Sequence, residues 1–324
     1  MTKTIFVTRK IPEKAIELLK SKGYSVDVNP SDAIPSQKQI IKALKKKSYD
    51  AVITLLTDHI DAKVFDEVPS VRMYANYASG YDNIDIAEAK KRGITITNAP
   101  SDVASRAVAE HAIALMLALS MRIVEADTFV RQGKYEGWSP MNFIGTDISG
   151  KTIGLIGAGR IGEWVVHYAK GLGLNSIYFD VVRNEKIESE YGATYYASVE
   201  DVLKQADFVS LHVPLLDSTR HLINRERLGM MKPSSFLVNT SRGPIIDEEA
   251  LVDALKTGII RGAALDVFEN EPRLARGLVK LNNVILTPHI GSASEEARDQ
   301  MAEIAANNII DFFEGRIPRN IVNK

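Results

Sequence analysis

The chain has 324 residues, 45% hydrophobic and 25% charged, with 40 Lys and Arg against 41 Asp and Glu for a formal net charge of −1. That length suits two ordinary domains with sizeable cores, and the near-neutral balance gives no global electrostatic reason to expect nucleic acid or an anionic membrane as a partner. The absence of cysteine excludes disulfides, thiolate metal sites and a cysteine nucleophile; with a start, Met1-Thr2-Lys3-Thr4, that lacks a signal-peptide pattern, it predicts a cytoplasmic protein.

Ile5-Phe6-Val7 reads as a first buried strand, followed by a helix over 13–20 that ends at Gly23 and a strand over 24–28. Further strands are predicted over 51–55, 72–77 and 94–97. Strands this continuously apolar, alternating with helical segments, point to a parallel sheet covered by helices. The stretch 103–131 reads as one long helical segment whose apolar face is wider than one core contact needs, so it is the expected homodimer interface, with a simple buried helix as the other reading. Its longest nearly apolar run, residues 112–119, falls well short of the roughly 20 residues that span a bilayer.

A second α/β series begins at Lys151. A strand over 151–156 runs into Gly157-Ala158-Gly159-Arg160-Ile161-Gly162 and then a helix to about Lys170. In such a unit Gly157 permits the turn, Gly159 lets the backbone approach a pyrophosphate, Gly162 allows close helix packing, and the helix N-terminus receives the anion. The next strand, 176–179, ends at Asp180, 18 residues beyond Gly162, near the spacing of a carboxylate that binds the adenosine ribose. A carboxylate there would repel a 2′-phosphate, favouring NAD over NADP, while nearby Arg183 leaves that choice open. Strands follow over 208–211, 236–239, 263–267 and 284–286, and a final helix over 294–314. The glycine turn in mid-chain predicts a NAD-binding Rossmann domain over 100–290 inserted into a substrate-binding domain of residues 1–99 and 291–324, with the site in the cleft between them.

Chemistry enters at the strand ends. Arg242 follows the strand 236–239 and precedes a helix starting near Asp247, a position suited to a guanidinium fork on a carboxylate; a loop arginine in a surface salt bridge is the competing reading. His289 follows the strand 284–286, where an imidazole can exchange a proton near neutral pH. Glu271 would fix its tautomer if the two touch. The other histidines, His59, His111, His167, His212 and His221, read as structural. No metal cluster is predicted.

Six segments carry a resemblance across essentially the whole chain: residues 76–85 (NYASGYDNID), 108–111 (VAEH), 157–162, 239–243 (NTSRG), 265–272 (LDVFENEP) and 287–292 (TPHIGS). They resemble the D-isomer-specific 2-hydroxyacid dehydrogenases, nearest the glyoxylate and hydroxypyruvate reductase branch. The resemblance implies a Rossmann-type dinucleotide-binding domain inserted into a flavodoxin-like α/β substrate domain. It makes Arg242 the receptor of the substrate carboxylate and carbonyl, Glu271 the partner of His289, and His289 the acid/base; Glu269, adjacent in the motif, is not the pairing residue. Ser79 and Gly80 would offer backbone donors to the substrate, and Asp266 would contact the nicotinamide carboxamide. Arg160, Ile161, Val213, Pro214, Thr219, Thr240 and Ser241 would line the cofactor. The implied reaction is NADH-dependent reduction of a small 2-oxo acid to a D-2-hydroxy acid. Residues 135–141 read as shorter than in the glyoxylate reductases, which leaves D-lactate or D-3-phosphoglycerate dehydrogenation as alternatives. Formate oxidation and a non-enzymatic NAD-sensing corepressor role are the more distant ones.

Overall fold

The computed structural model describes residues 2–324; Met1, the first residue of the segment read for a signal peptide, lies outside them. The chain forms two compact units, residues 1–104 with 293–324 and residues 105–292.

The first unit holds five parallel strands: β1 (Thr4–Val7), β2 (Ser25–Val28), β3 (Ala51–Leu55), β4 (Met73–Tyr77) and β5 (Thr95–Thr97). Their order is β2-β1-β3-β4-β5, the flavodoxin-type arrangement. Every residue of β4 is buried, as expected where helices cover both faces of a parallel sheet. Covering helices begin where polar side chains close the free amides of the first turn: Ser36 and Gln39 form a reciprocal capping box before Gln37–Leu44, and Asp61 and Asp85 cap Ala62–Glu67 and Ile86–Lys91. The C-terminal helix Glu295–Phe313, capped by Ser294, packs on β4 and on the helix Glu13–Ser21. Ala305, Ala306 and Ile309 are fully buried there, and a residue the size of Ile309 contributes about 1.5–3 kcal/mol when withdrawn from water.

The second unit holds seven parallel strands: β6 (Thr152–Ile156), β7 (Asn175–Phe179), β8 (Thr194–Tyr195), β9 (Phe208–Leu211), β10 (Phe236–Asn239), β11 (Gly262–Leu265) and β12 (Val284–Leu286). Their order is β12-β11-β10-β9-β6-β7-β8, a Rossmann sheet with one further strand, its crossover between β6 and β9 marking the switch point. All residues of β9, β10 and β11 are buried, and Phe208 stacks on Phe236 at 5.4 Å.

Three features differ from the sequence reading. The 103–131 segment is two helices, Asp102–Ser120 and Ile123–Arg131. The break falls at Arg122, held in the left-handed region at φ 57° by a bidentate pair with Glu125, while Thr146 N takes the Ser120 carbonyl at 2.8 Å. The strand expected over 263–267 stops at Leu265, because Asp266 turns its carboxylate into the next loop. The two-residue edge strand β8 carries too little periodicity to be read from sequence.

Among the described residues one helix, Asp102–Ser120, is long and apolar enough to cross a membrane by length and composition, with a mean hydropathy of 1.3. Of that window 56% is buried inside the protein, and Ala109, Ala112, Leu115 and Met116 belong to the core beneath β6.

Candidate active site

The glycine turn after β6 is built by close approach. Gly157 sits at φ +98°, and a Cβ there would lie 2.5 Å from the His212 carbonyl oxygen. A Cβ on Gly162 would meet the Gly157 oxygen, also at 2.5 Å, so helix Arg160–Gly171 can start against the strand only with glycine at both positions. Gly159 has open space where a side chain would be, and as the N-cap of that helix it offers no side-chain hydrogen bond. With no side-chain cap at its N-terminus, the helix leaves its first amides to an anion, the arrangement an oligophosphate needs. Thr240 Oγ1 is buried without a partner. An open glycine position, an uncapped helix end and an orphaned hydroxyl together fit a dinucleotide.

Asp180 closes the far side of the turn. Its Oδ2 accepts the Ala158 amide at 2.7 Å and its Oδ1 the Val182 amide at 3.3 Å. Asn184 donates to the Ala158 carbonyl at 2.7 Å, so the peptide groups on either side of Ala158 are both fixed. A cavity of about 490 Å³ lies beside them, lined by Gly159, Asp180, Val182, Arg183, Asn184 and Glu185 among others. On the other side of the turn, His212 bonds Ser210 Oγ at 2.8 Å through Nε2, while its Nδ1 is buried without a partner. Desolvation pushes this imidazole down to about 4, so it is neutral at physiological pH. Thr219 is engaged with its own loop, donating to the Pro214 carbonyl at 2.6 Å and accepting from the Leu216 amide. Val213 packs beside Gly157.

Arg242 is carried by a turn that its neighbours determine. Asn239, the last residue of β10, donates to the Arg242 carbonyl at 2.9 Å and accepts the Ser241 amide at 3.0 Å; Ser241 Oγ reaches back to the Leu211 carbonyl at 2.6 Å. Gly243 follows, and a Cβ there would lie 1.9 Å from the carbonyl carbon and oxygen of Phe268. That contact seats the Arg242 turn directly on the loop that bears Glu271.

His289 occupies the left-handed region at φ 55°, a conformation that costs a β-carbon residue energy and tends to mark functional positions. Its amide is held by the Asp266 carbonyl at 2.8 Å. The Asp266 carboxylate, 1% exposed, accepts Thr287 Oγ1 at 2.7 Å, the Ile290 amide at 2.9 Å and the Gly291 amide at 2.8 Å, with His111 Nε2 at 3.3 Å. Burial opposes its ionisation, but His111, Thr287 and the Ile290 amide outweigh that and hold it below the ordinary carboxylate range. Its partners within the chain are thus those of the His289 turn and His111.

Within this frame Glu271 Oε2 lies 3.1 Å from His289 Nδ1, and Glu271 Oε1 accepts the Phe268 amide at 3.0 Å. The contact that sequence left open is thus made. Burial raises the Glu271 carboxyl, yet the His289 hydrogen bond and charge, the Phe268 amide and the Arg242 charge together hold it below its usual value. Glu269 turns away and pairs with His221 at 2.6 Å.

One residue that sequence reading missed stands out here. Glu248, 4% exposed, accepts the Ala275 amide at 2.8 Å and the Glu269 amide at 3.4 Å, gripping the loop on both sides of Glu271; burial raises its carboxyl. Its only sequence signal was an acidic residue in a first helical turn, which many helices share.

In the first unit, Asn98 donates to the Ser79 carbonyl at 2.6 Å and Asn76 to the Gly80 carbonyl at 2.9 Å. The peptide planes after β4 are therefore fixed, as a backbone anion receptor requires.

A Rossmann-order parallel sheet with a dinucleotide glycine turn, and with Arg, Glu and His gathered at its strand ends, defines a nicotinamide-nucleotide oxidoreductase. Residues 113–291 match the family model described as D-isomer specific 2-hydroxyacid dehydrogenase, NAD binding domain. The chain is 47% identical to a glyoxylate reductase of Thermococcus litoralis, over 100% of this chain and 98% of that one. It is 48% identical to a glyoxylate reductase of Korarchaeum cryptofilum, over 100% and 97%. It also superposes with a TM-score of 0.86 at 30% identity, covering 99% of this chain and 97% of the other, on an NADPH-dependent glyoxylate/hydroxypyruvate reductase from Sinorhizobium meliloti. The chain belongs to the D-isomer-specific 2-hydroxyacid dehydrogenases and is an oxidoreductase acting on CH–OH donors.

Proposed function

We propose that this enzyme uses NADH to reduce a small 2-oxo acid, glyoxylate or hydroxypyruvate before others, to the D-2-hydroxy acid, with Arg242, Glu271 and His289 as its catalytic residues. The reading rests above all on the 3.1 Å contact of Glu271 Oε2 with His289 Nδ1, on a loop locked against the Arg242 turn. The Arg242 fork takes the substrate carboxylate in two charge-assisted bonds and polarises the adjoining carbonyl. The Ser79 and Gly80 amides are, from the family resemblance, further donors to substrate. Glu271 on Nδ1 sets the imidazole's orientation, and Nε2 gives its proton to the developing alkoxide. Nicotinamide, when bound, supplies the hydride. Gly157, Gly159, Arg160, Ile161 and Gly162 hold the pyrophosphate, and Val213, Pro214, Thr219, Thr240, Ser241 and Asp266 complete the cofactor's surroundings.

In this reading residues 100–290 are the NAD-binding domain, and residues 1–99 with 291–324 bind substrate. The Asp180 carboxylate supports NAD over NADP, since a 2′-phosphate would meet like charge. Preference for glyoxylate or hydroxypyruvate draws on the reductases to which the chain is similar. A homodimer through 103–131 is supported by the exposed side chains of Met121, Ile123, Val124 and Val130, since clustered apolar surface marks interaction sites.

The test is NADH and NADPH oxidation by the purified protein with glyoxylate, hydroxypyruvate, pyruvate and phosphohydroxypyruvate in parallel. Rapid NADH oxidation with glyoxylate or hydroxypyruvate is the expected result. Silence with all four acids despite NADH binding would overturn the proposal.

A further inference from the structure

The cavity beside Asp180 contains one cation among its lining residues, Arg183, against the carboxylates of Asp180 and Glu185. By position Arg183 is a natural receptor for a phosphate on the adenosine 2′ oxygen. Its guanidinium is already engaged. Nε reaches Glu188 Oε1 at 2.8 Å and Nη2 reaches Glu188 Oε2 at 2.6 Å, a two-pronged match of fork and carboxylate. The carboxylate itself is held in place from behind. The Tyr178 hydroxyl, on a fully buried ring of β7, donates to Glu188 Oε1 at 2.6 Å and accepts the Asn184 amide at 2.9 Å. The guanidinium also lies over the Tyr195 ring, 5.7 Å from its centre.

We propose that Glu188 is a cofactor-selectivity residue that acts through Arg183: it withholds the one cation of the adenosine pocket from a 2′-phosphate and so enforces, beyond the repulsion by Asp180, the choice of the unphosphorylated dinucleotide. The inference rests on the NAD reading above and adds a residue to it. Arg183 and Tyr178 hold the Glu188 carboxyl down to about 2, so the clamp stays charged throughout the working pH range. A phosphate entering the pocket meets a guanidinium whose Nε–Nη2 fork and charge are already matched by Glu188, and a neutral side chain at 188 removes that competition while leaving an oxygen for Tyr178.

The experiment uses the full chain without nicotinamide or substrate and measures by calorimetry the affinities of 5′-AMP and adenosine 2′,5′-bisphosphate, which differ only in the 2′-phosphate. The native chain should prefer 5′-AMP. In Glu188→Gln the bisphosphate should gain about tenfold, the scale of one charge-assisted pair, with 5′-AMP unchanged. In Arg183→Ala/Glu188→Gln that gain should vanish. Arg183→Ala alone should leave the native ratio of affinities unmoved, and this variant keeps the proposal testable if position 188 proves essential for folding. An unchanged ratio in Glu188→Gln, or a weakened bisphosphate in Arg183→Ala, would overturn the clamp while leaving NAD preference standing. A native preference for the bisphosphate would overturn both.

Discussion

Replacing Glu271 by Gln isolates the charge of the carboxylate that faces His289. The substitution keeps an oxygen for the Phe268 amide, 3.0 Å away, so the loop retains its anchor. What is lost is a charge-assisted hydrogen bond of 3.1 Å. Bonds to charged groups contribute about 1.5–3 kcal/mol, and the lower part of that range applies because the two side chains are 30% and 36% exposed and solvent screens them. A loss of about 1.5–2 kcal/mol corresponds to a kcat for 2-oxo acid reduction roughly 10- to 30-fold lower, at about 1.4 kcal/mol per decade. The carboxyl lies below its ordinary value in the folded protein. Its stabilising contribution is therefore complete above the usual carboxylate range and is lost as the pH falls through its lowered value. Steady-state kinetics from pH 5.5 to 9, with NADH binding followed by fluorescence, provide the assay. Turnover within about twofold of native would refute the assigned role of Glu271.

Arg242→Lys keeps the charge but loses the planar fork, so KM for the 2-oxo acid should rise and kcat should fall, with NADH affinity nearly unchanged; a defect confined to NADH binding would speak against the carboxylate role. His212 has its folded value pushed down to about 4 from an unfolded value of about 6.5, so stability is complete above about pH 6.5 and is lost as the pH falls toward 4. At pH 4.5 the penalty in the native chain should approach about 3 kcal/mol, and His212→Gln should remove it. Urea unfolding of both chains at pH 7 and 4.5 checks this, and an equal acid loss in the two would contradict the burial argument.

Much of the scaffold was legible because parallel strands covered on both faces are written as short unbroken apolar runs: β3, β9, β10 and β12 lie where those runs lie. Asp247 and Ser294 announced their helices by capping chemistry. The glycine turn was legible because each glycine answers a different steric demand. Other features depend on partners that the sequence pattern does not reveal. Nothing around Arg122 signals a left-handed residue, since the pull on it comes from Glu125 and the 143–146 segment. The four internal donors to the Asp266 carboxylate carry no signal in the sequence. The Glu188 carboxylate on the Arg183 guanidinium likewise has no signature in the sequence. Glu248 was indistinguishable from any helix-starting glutamate until its carboxylate was seen to grip both sides of the Glu271 loop.

The central claim, that His289 gives its proton to the reduced carbonyl, is tested most directly by His289→Ala. NADH binding is measured by fluorescence titration and NADH oxidation with glyoxylate in a single turnover. The account predicts a dissociation constant for NADH close to native and a rate lower by about two to four orders of magnitude, the scale of a lost general acid. Near-native turnover, or a slow rate traced wholly to weak NADH binding, would contradict it.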